Sequence, residues 1–186
     1  MHTIDGRMMK EYLRQTKKLV ELLFERRHLL GTLCPELFMD DDERRETLRI
    51  VATVNDKLHA CCNRLEALEL QGFGVSQLLR MSPVPVPVRC AVTLLFAARL
   101  YAFRGDLNRV ADIVTCTAGN DPFILWELRN AFAADGTIGR LCDFSPGKFP
   151  GNLDNRQVAM KEEHVTTFLC CSNSPLRRKP QSPRPG

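Results

Sequence analysis

The eight cysteines are the most reactive side chains of this sequence: Cys34, Cys61, Cys62, Cys90, Cys116, Cys142, Cys170 and Cys171. No CxxC pair occurs, and adjacent cysteines have poor geometry for a disulfide bond. None of the four histidines is spaced with cysteines as zinc ligands require. Cys61 and Cys116 fall where a helix carries apolar residues. We therefore expect buried, reduced thiols and no metal site, in preference to a disulfide framework.

Adjacent carboxylates are the next candidates for metal binding or proton transfer. The sequence contains two such runs, Asp40-Asp41-Asp42 and Glu162-Glu163. Because consecutive side chains point apart, neither run converges on a metal ion or on a substrate proton. The aspartate triplet is instead typical of a helix start, where acids accept hydrogen bonds from free amides and interact favourably with the helix dipole.

Motifs for nucleotide binding or hydrolysis are missing from the sequence. Gly147-Lys148 lacks both the upstream glycine and the following Ser or Thr of a phosphate-binding loop. The sequence also contains no GxSxG, HExxH, GxGxxG or EF-hand pattern. We predict that this chain alone is not an enzyme and holds no cofactor, so that its function rests on an interaction surface.

The net charge of +4 originates in the C-terminal tail. Four of the 26 basic residues lie after Cys171, and the remaining 22 balance the 22 acids of residues 1–171. A nucleic-acid-binding domain carries its excess positive charge on the folded face that meets phosphate, so this distribution argues against nucleic acid. No apolar run is long enough to span a bilayer, and the charged N-terminus does not resemble a signal peptide. We expect a cytoplasmic protein that makes no membrane contact.

Residues 1–72 are predicted to form a helical hairpin. Thr3–Leu33 carries an apolar residue at every third or fourth position and ends before Pro35. The second helix follows the aspartate triplet, and its apolar stripe contains Val51, Val54, Leu58, Cys61, Leu65 and Leu68. The short connection favours antiparallel packing of the two helices. The same stripe is also the candidate seam of a homo-oligomer.

Residues 73–87 are predicted to be a turn and a proline-rich spacer, and residues 88–144 a small helical bundle. Val88–Phe103 is apolar nearly all round and therefore indicates a buried helix. A short helix is expected over Leu107–Val114. A third helix is expected to start at the Asp121-Pro122 cap. The fold class is therefore mainly α, with a long hairpin followed by a winged-helix-like bundle.

The third helix of this bundle runs to about Ala134, and the alternating residues from Ile138 to Cys142 predict a short β wing. Its first turns contain Phe123 among apolar and acidic neighbours, a composition that suits packing against protein and repels phosphate. Arg129 and Asn130, late in the helix, are the candidate base readers, and Arg140, in the wing, is a candidate phosphate contact. Residues 145–171 are expected to hold a loop and one more element, and residues 172–186 a disordered basic tail.

The order of these parts resembles the N-terminal region that precedes the motor in some bacterial AAA-type ATPases. In that group a charged helical pair is followed by a Gly-rich apolar turn, which corresponds to Leu70–Leu79 here. A small helical domain comes next, and it ends in a segment similar to Leu128–Leu141. The resemblance covers roughly Glu25–Phe144. It implies a non-catalytic recognition or regulatory region that binds a protein partner or its own subunits.

The Walker A lysine, the Walker B acids and the arginine finger of those ATPases have no counterparts in this sequence. The resemblance therefore implies a truncated gene product whose ATP-hydrolysing motor is absent. Two alternatives remain open. One is a small winged-helix DNA-binding transcription regulator that dimerises through its helical hairpin. The other is a helical scaffold whose homodimer seam contains Leu58 and Leu65.

Overall fold

The computed structural model describes residues 6–33, 39–70, 72–101, 107–145 and 153–169. The fold is mainly α, as predicted. The described residues form seven α-helices: α1 (Gly6–Thr32), α2 (Asp41–Glu69), α3 (Gly74–Leu79), α4 (Val86–Tyr101), α5 (Val110–Ala118), α6 (Pro122–Ala131) and α7 (Glu162–Leu169). Two short strands, β1 (Cys142–Phe144) and β2 (Val158–Met160), pair antiparallel.

Helices α1 and α2 form the predicted antiparallel hairpin. The Tyr12 hydroxyl near the start of α1 lies 2.7 Å from Glu69 at the end of α2. Arg26, near the end of α1, donates a hydrogen bond to Asn55 at the middle of α2. Asp40 caps α2 by accepting hydrogen bonds from the amides of the second and third residues of the helix. The aspartate triplet therefore begins a helix, as its composition indicates.

The buried face of α1 differs from the predicted stripe. The sequence pattern predicts a stripe through Leu13 and Val20 that Thr16 and Arg27 interrupt. Thr16 is fully buried, together with Tyr12, Gln15, Leu19, Val20, Leu22 and Leu23. Helix α1 packs against α4 and α5 as well as α2. Its buried surface is therefore wider than the stripe of a helix that packs against one neighbour.

Helix α4 lies at the centre of the structure and connects the hairpin to the bundle. Its middle, residues 90–97, is buried on all sides, as its apolar sequence predicts. The helix begins at Val86, so that Pro87 lies in its first turn, where a missing amide hydrogen is tolerated. One continuous apolar core includes Leu19 of α1, Leu95 of α4 and Leu128 of α6.

The predicted β wing starts four residues later than expected. Residues 138–141 are a turn followed by a 3-10 turn, and the strand begins at Cys142. The Ile138 amide donates to the Ala131 carbonyl at 2.8 Å, and Gly139 packs so closely over the Ala133 carbonyl that no side chain fits. This backbone therefore completes the C-terminus of α6 and cannot extend a strand. The partner strand β2 comes from distant sequence.

The region predicted as a loop with one further element contains both β2 and α7 within its described residues. Phe168 of α7 is fully buried and stacks on Phe96 of α4 at a ring-centroid distance of 3.7 Å. The tail at 172–186 and three cysteines (Cys34, Cys170 and Cys171) lie outside the described residues. None of the described helices combines the length and apolar character that a bilayer span needs.

Candidate protein-interaction surface

Helix α6 is held in one orientation by its cap and by its buried side. The Asp121 carboxylate accepts hydrogen bonds from the Phe123 and Ile124 amides at 2.9 and 3.1 Å, and Pro122 occupies the first helical position. This is the predicted start of the helix. Leu128 is fully buried in the core. The opposite side of α6 must therefore face solvent.

Two aromatic rings dominate the solvent side of α6. Phe123 and Trp126 are 64% and 61% exposed, the largest values for large apolar side chains in the described residues. Their ring centroids lie 6.3 Å apart. With Glu127 and Asn130, they share one side of the helix through spacings of three, four and seven residues. We refer to these four residues as the aromatic face.

The surroundings of the aromatic face are acidic. Asp121 and Glu127 are exposed, and neither has a salt-bridge partner among the residues that the structure describes. Arg129 binds Asp154 through two hydrogen bonds of 3.2 and 3.0 Å, which offset its charge. The face therefore combines exposed aromatic area with negative charge that no cation of the described residues pairs with, a combination that disfavours contact with phosphate.

The structure separates the interaction residues inferred from sequence into two groups. Phe123 belongs to the aromatic face, and both Arg129 and Arg140 are exposed. The apolar stripe of α2 instead faces the core. Leu68 is partly buried against the core, and four residues of the stripe are buried: Val51, Val54, Leu58 and Leu65. They pack within the chain, so a second copy cannot reach them while the hairpin is closed. A homodimer seam through Leu58 and Leu65 would therefore require the hairpin to open.

Trp126 was not among the residues inferred from sequence. Its periodic position does not reveal its exposure, because an aromatic residue in a helix is usually buried. The available signal was its spacing of three residues from Phe123, on the side of α6 opposite to Leu128. This spacing indicates an exposed side only once the orientation of α6 about its axis is known, and the tertiary fold sets that orientation.

A buried ionic clasp joins four helices: Tyr12 of α1, Glu69 of α2, Ser76 of α3 and Arg89 of α4. Glu69 accepts hydrogen bonds from the Arg89 guanidinium and the Tyr12 hydroxyl, both at 2.7 Å. It also accepts from the Ser76 hydroxyl at 2.5 Å and from the Val75 and Ser76 amides at 3.0 Å. The carboxylate therefore has both of its oxygens satisfied, as a buried charge requires.

The sequence pattern of α2 predicts that Glu69 lies on the solvated side with the other charged residues of the helix, but the clasp buries it. Glu69 is 0% exposed and Arg89 is 1% exposed. Burial, together with the Glu69 carboxylate, raises the pKa of Tyr12 well above its usual range. Burial acts to lower the pKa of Arg89, but the Glu69 carboxylate outweighs it and raises that pKa. The raised pKa values keep Tyr12 protonated and Arg89 charged, so the clasp remains a paired, hydrogen-bonded cluster inside the fold.

The five described cysteines are buried and free, as expected from the sequence. Burial raises the pKa of Cys61 and Cys116 to about 11 and that of Cys142 to about 12. The sulfur atoms of Cys62 and Cys90 lie 3.9 Å apart. Their contact lowers the pKa of Cys62 and, together with burial, raises that of Cys90. Within the described residues, no group of three or more potential ligands could hold a metal ion.

We expect Cys61 to resist alkylation at neutral pH in the folded protein. Its pKa of about 11, compared with 9.0 for an ordinary thiol, leaves about a hundredfold less reactive thiolate. Iodoacetamide labelling followed by peptide mass spectrometry measures the rate at this position. Labelling in denaturant provides the control, because it removes burial. Equal rates in the folded and denatured protein would contradict the buried position of this thiol.

A second surface, the basic groove, lies between α1 and α2. It encloses about 400 Å³ and is lined by Glu11, Arg14, Gln15, Lys18, Lys57, Ala60, Cys61 and Arg64. Cys61 packs at its base, where the thiol donates to the Gln15 carbonyl at 3.3 Å. Four cations and one carboxylate therefore face this groove.

The carboxylate of the groove is already occupied by its own helix. Glu11 accepts two hydrogen bonds of 2.8 Å from Arg14 and one of 2.8 Å from the Gln15 amide. Hydrogen bonds from Arg14 and Gln15 lower the pKa of Glu11 from 4.5 to about 2. Glu11 therefore remains ionised over the whole physiological pH range.

We expect a carboxyl NMR titration to give a Glu11 pKa of about 2, and Arg14→Gln to raise it towards 4.5. Since this pKa is lowered on folding, the stabilisation from the interaction is complete above pH 4.5 and is lost as the pH falls through about 2. Arg49→Gln, a charge removal on the exposed part of α2, should leave the Glu11 titration unchanged. A Glu11 pKa that stays low in Arg14→Gln would contradict this assignment.

The geometry therefore offers two surfaces for recognition, the aromatic face on α6 and the basic groove between α1 and α2. The aromatic face provides exposed apolar area with negative charge beside it. The basic groove provides a concave site with positive charge. Comparison of the chain with protein-family models, with curated proteins and with solved structures found no match.

Proposed function

We propose that this chain is a non-catalytic protein-recognition module that binds its partner through the aromatic face. The observation that carries the proposal is the exposure of both Phe123 and Trp126 on a helix whose opposite side is anchored in the core. Burying an aromatic side chain of this size contributes about 1.5–3 kcal/mol. Tryptophan is enriched among the residues that dominate binding energy at protein interfaces.

The partner that fits this face is an apolar segment that carries lysine or arginine. The two rings supply the apolar contact area, and Glu127 and Asp121 supply negative charge at its edge. A lysine or arginine of the partner can also lie over the Trp126 ring in a cation–π contact. Charge complementarity of this kind favours a basic amphipathic partner over an acidic one.

A recognition role agrees with the resemblance to the N-terminal regions of bacterial AAA-type ATPases. In that arrangement the partner is a substrate, an adaptor or a neighbouring subunit, and ATP hydrolysis belongs to sequence outside this chain. A reducing, cytoplasmic setting is consistent with the five buried free thiols.

Peptide selection tests the proposal and identifies the partner chemistry. A random peptide library on phage is selected on the full chain and counter-selected on Phe123→Ser/Trp126→Ser. We expect the recovered peptides to combine apolar residues with lysine or arginine. The double variant should bind them about thirtyfold more weakly or worse, since residues central to an interface commonly contribute about 2 kcal/mol or more.

The matched control for this experiment is Leu48→Ser/Ile50→Ser. These two residues are exposed apolar side chains on α2, so their replacement removes a similar kind of surface from a different place. The control should bind the peptides like the unmodified chain. Peptides that bind all three proteins equally would contradict the proposal. Salt-dependent binding of duplex DNA, in place of peptide, would support the transcription-regulator alternative.

A further inference from the structure

The basic groove contains cations that no carboxylate neutralises. Lys18 and Lys57 both line it, and neither has a salt-bridge partner among the described residues. Arg64 approaches Glu11 only loosely, at 3.9 Å. Because Glu11 already receives three short hydrogen bonds from its own helix, the donors of Arg64 stay largely open.

The cations are arranged along both walls of the groove. Arg14 and Lys18 are four residues apart on α1, and Lys57 and Arg64 are seven residues apart on α2. At about 1.5 Å per residue, the cations of α2 are separated by about 10 Å along the helix axis. The helices are antiparallel, so positive side chains from both walls surround one elongated space. Four cations and one carboxylate line the groove, so its net charge is positive.

We propose that this groove binds a small oxyanion with two or more phosphate groups. Lysine ammonium groups bind phosphate as point charges, and the Arg64 guanidinium can donate two parallel hydrogen bonds to phosphate oxygens. A short phosphate chain fits the groove volume of about 400 Å³ and the spacing of about 10 Å between Lys57 and Arg64 along α2. The balanced charge of residues 1–171 makes a long nucleic acid a poorer fit.

Calorimetric titration of the full chain with inorganic tripolyphosphate at low ionic strength tests this site. We expect saturable binding, with orthophosphate binding more weakly because it reaches fewer cations. Lys18→Gln/Lys57→Gln should weaken tripolyphosphate binding about tenfold. The control Lys10→Gln/Lys17→Gln removes the same charge from exposed positions on α1 that do not line the groove, and should stay within about twofold.

A second variant occupies the groove with a carboxylate. Ala60 is exposed and lies on the groove wall between Lys57 and Arg64, so Ala60→Glu places an acid within reach of both. We expect this variant to fold normally and to lose tripolyphosphate binding. Absence of saturable binding to the unmodified chain overturns the proposal. Equal weakening by the Lys10/Lys17 control also overturns it, because binding would then follow overall charge.

Discussion

Replacement of Arg89 by methionine is expected to lower the free energy of unfolding by about 3–5 kcal/mol. The substitution keeps a long apolar stem in the core, but it leaves the Glu69 carboxylate buried without its cationic partner. An uncompensated buried charge costs far more than a lost surface ion pair. Urea unfolding followed by circular dichroism measures the change in free energy.

The control for this prediction is Glu66→Gln. Glu66 lies 3.9 Å from Arg89 but is partly exposed, so its loss should cost less than about 1 kcal/mol. Glu69→Gln combined with Arg89→Met should recover much of the stability, since it removes the unpaired charge and retains a polar side chain. If Arg89→Met costs no more than Glu66→Gln, the clasp does not stabilise the fold as described.

Replacement of Gly74 by alanine is expected to destabilise the protein by about 3 kcal/mol. Gly74 has φ +75°, which alone costs about 1–2 kcal/mol for an L-residue. A Cβ at this position would also lie 2.6 Å from the Tyr12 hydroxyl oxygen and 2.7 Å from Glu69. Overpacking of this kind adds about 1–3 kcal/mol, because the buried clasp must shift to make room.

Gly31→Ala is the matched control, with the opposite expected sign. Gly31 lies in α1, and a Cβ there would meet no atom within 4 Å. Alanine should therefore stabilise the helix by about 0.5–1 kcal/mol. Urea unfolding of both variants gives the two differences directly. Equal small effects at the two glycines would show that the first residue of α3 tolerates a side chain and that the clasp is loosely packed.

Local signals in the sequence predicted the features that depend on neighbouring residues. Asp40 and Asp121 were identified as helix starts, because a short acidic side chain accepts hydrogen bonds from amides two and three residues later. The buried stripe of α2 was also predicted correctly, because the apolar residues of a long amphipathic helix recur with the helical period along its buried side. These interactions need no knowledge of the tertiary fold.

Features that depend on distant contacts were not predicted. Glu69 was taken for a solvated charge because its partner Arg89 lies twenty residues away, on a helix whose approach the sequence pattern does not reveal. The strand β1 was placed too early because its partner β2 begins fourteen residues after β1 ends, so that local sequence does not reveal the pairing. Trp126 was missed because its exposure depends on how α6 is rotated by the buried Leu128.

Binding of a peptide at the aromatic face should bury Trp126, and the fluorescence of this residue reports its burial. Trp126 is the single tryptophan of the chain and is largely exposed, so its emission should start at long, solvent-like wavelengths and be quenched readily by acrylamide. A selected peptide that lacks tryptophan and carries a fluorescent label provides an independent measure of binding by anisotropy.

As the peptide saturates the chain, we expect the Trp126 emission to shift to shorter wavelength and its quenching by acrylamide to fall. Both changes should follow the same binding curve as the anisotropy, because burial of the ring is the binding event. A peptide that binds by anisotropy while Trp126 keeps its emission maximum and its full quenching would contradict the account.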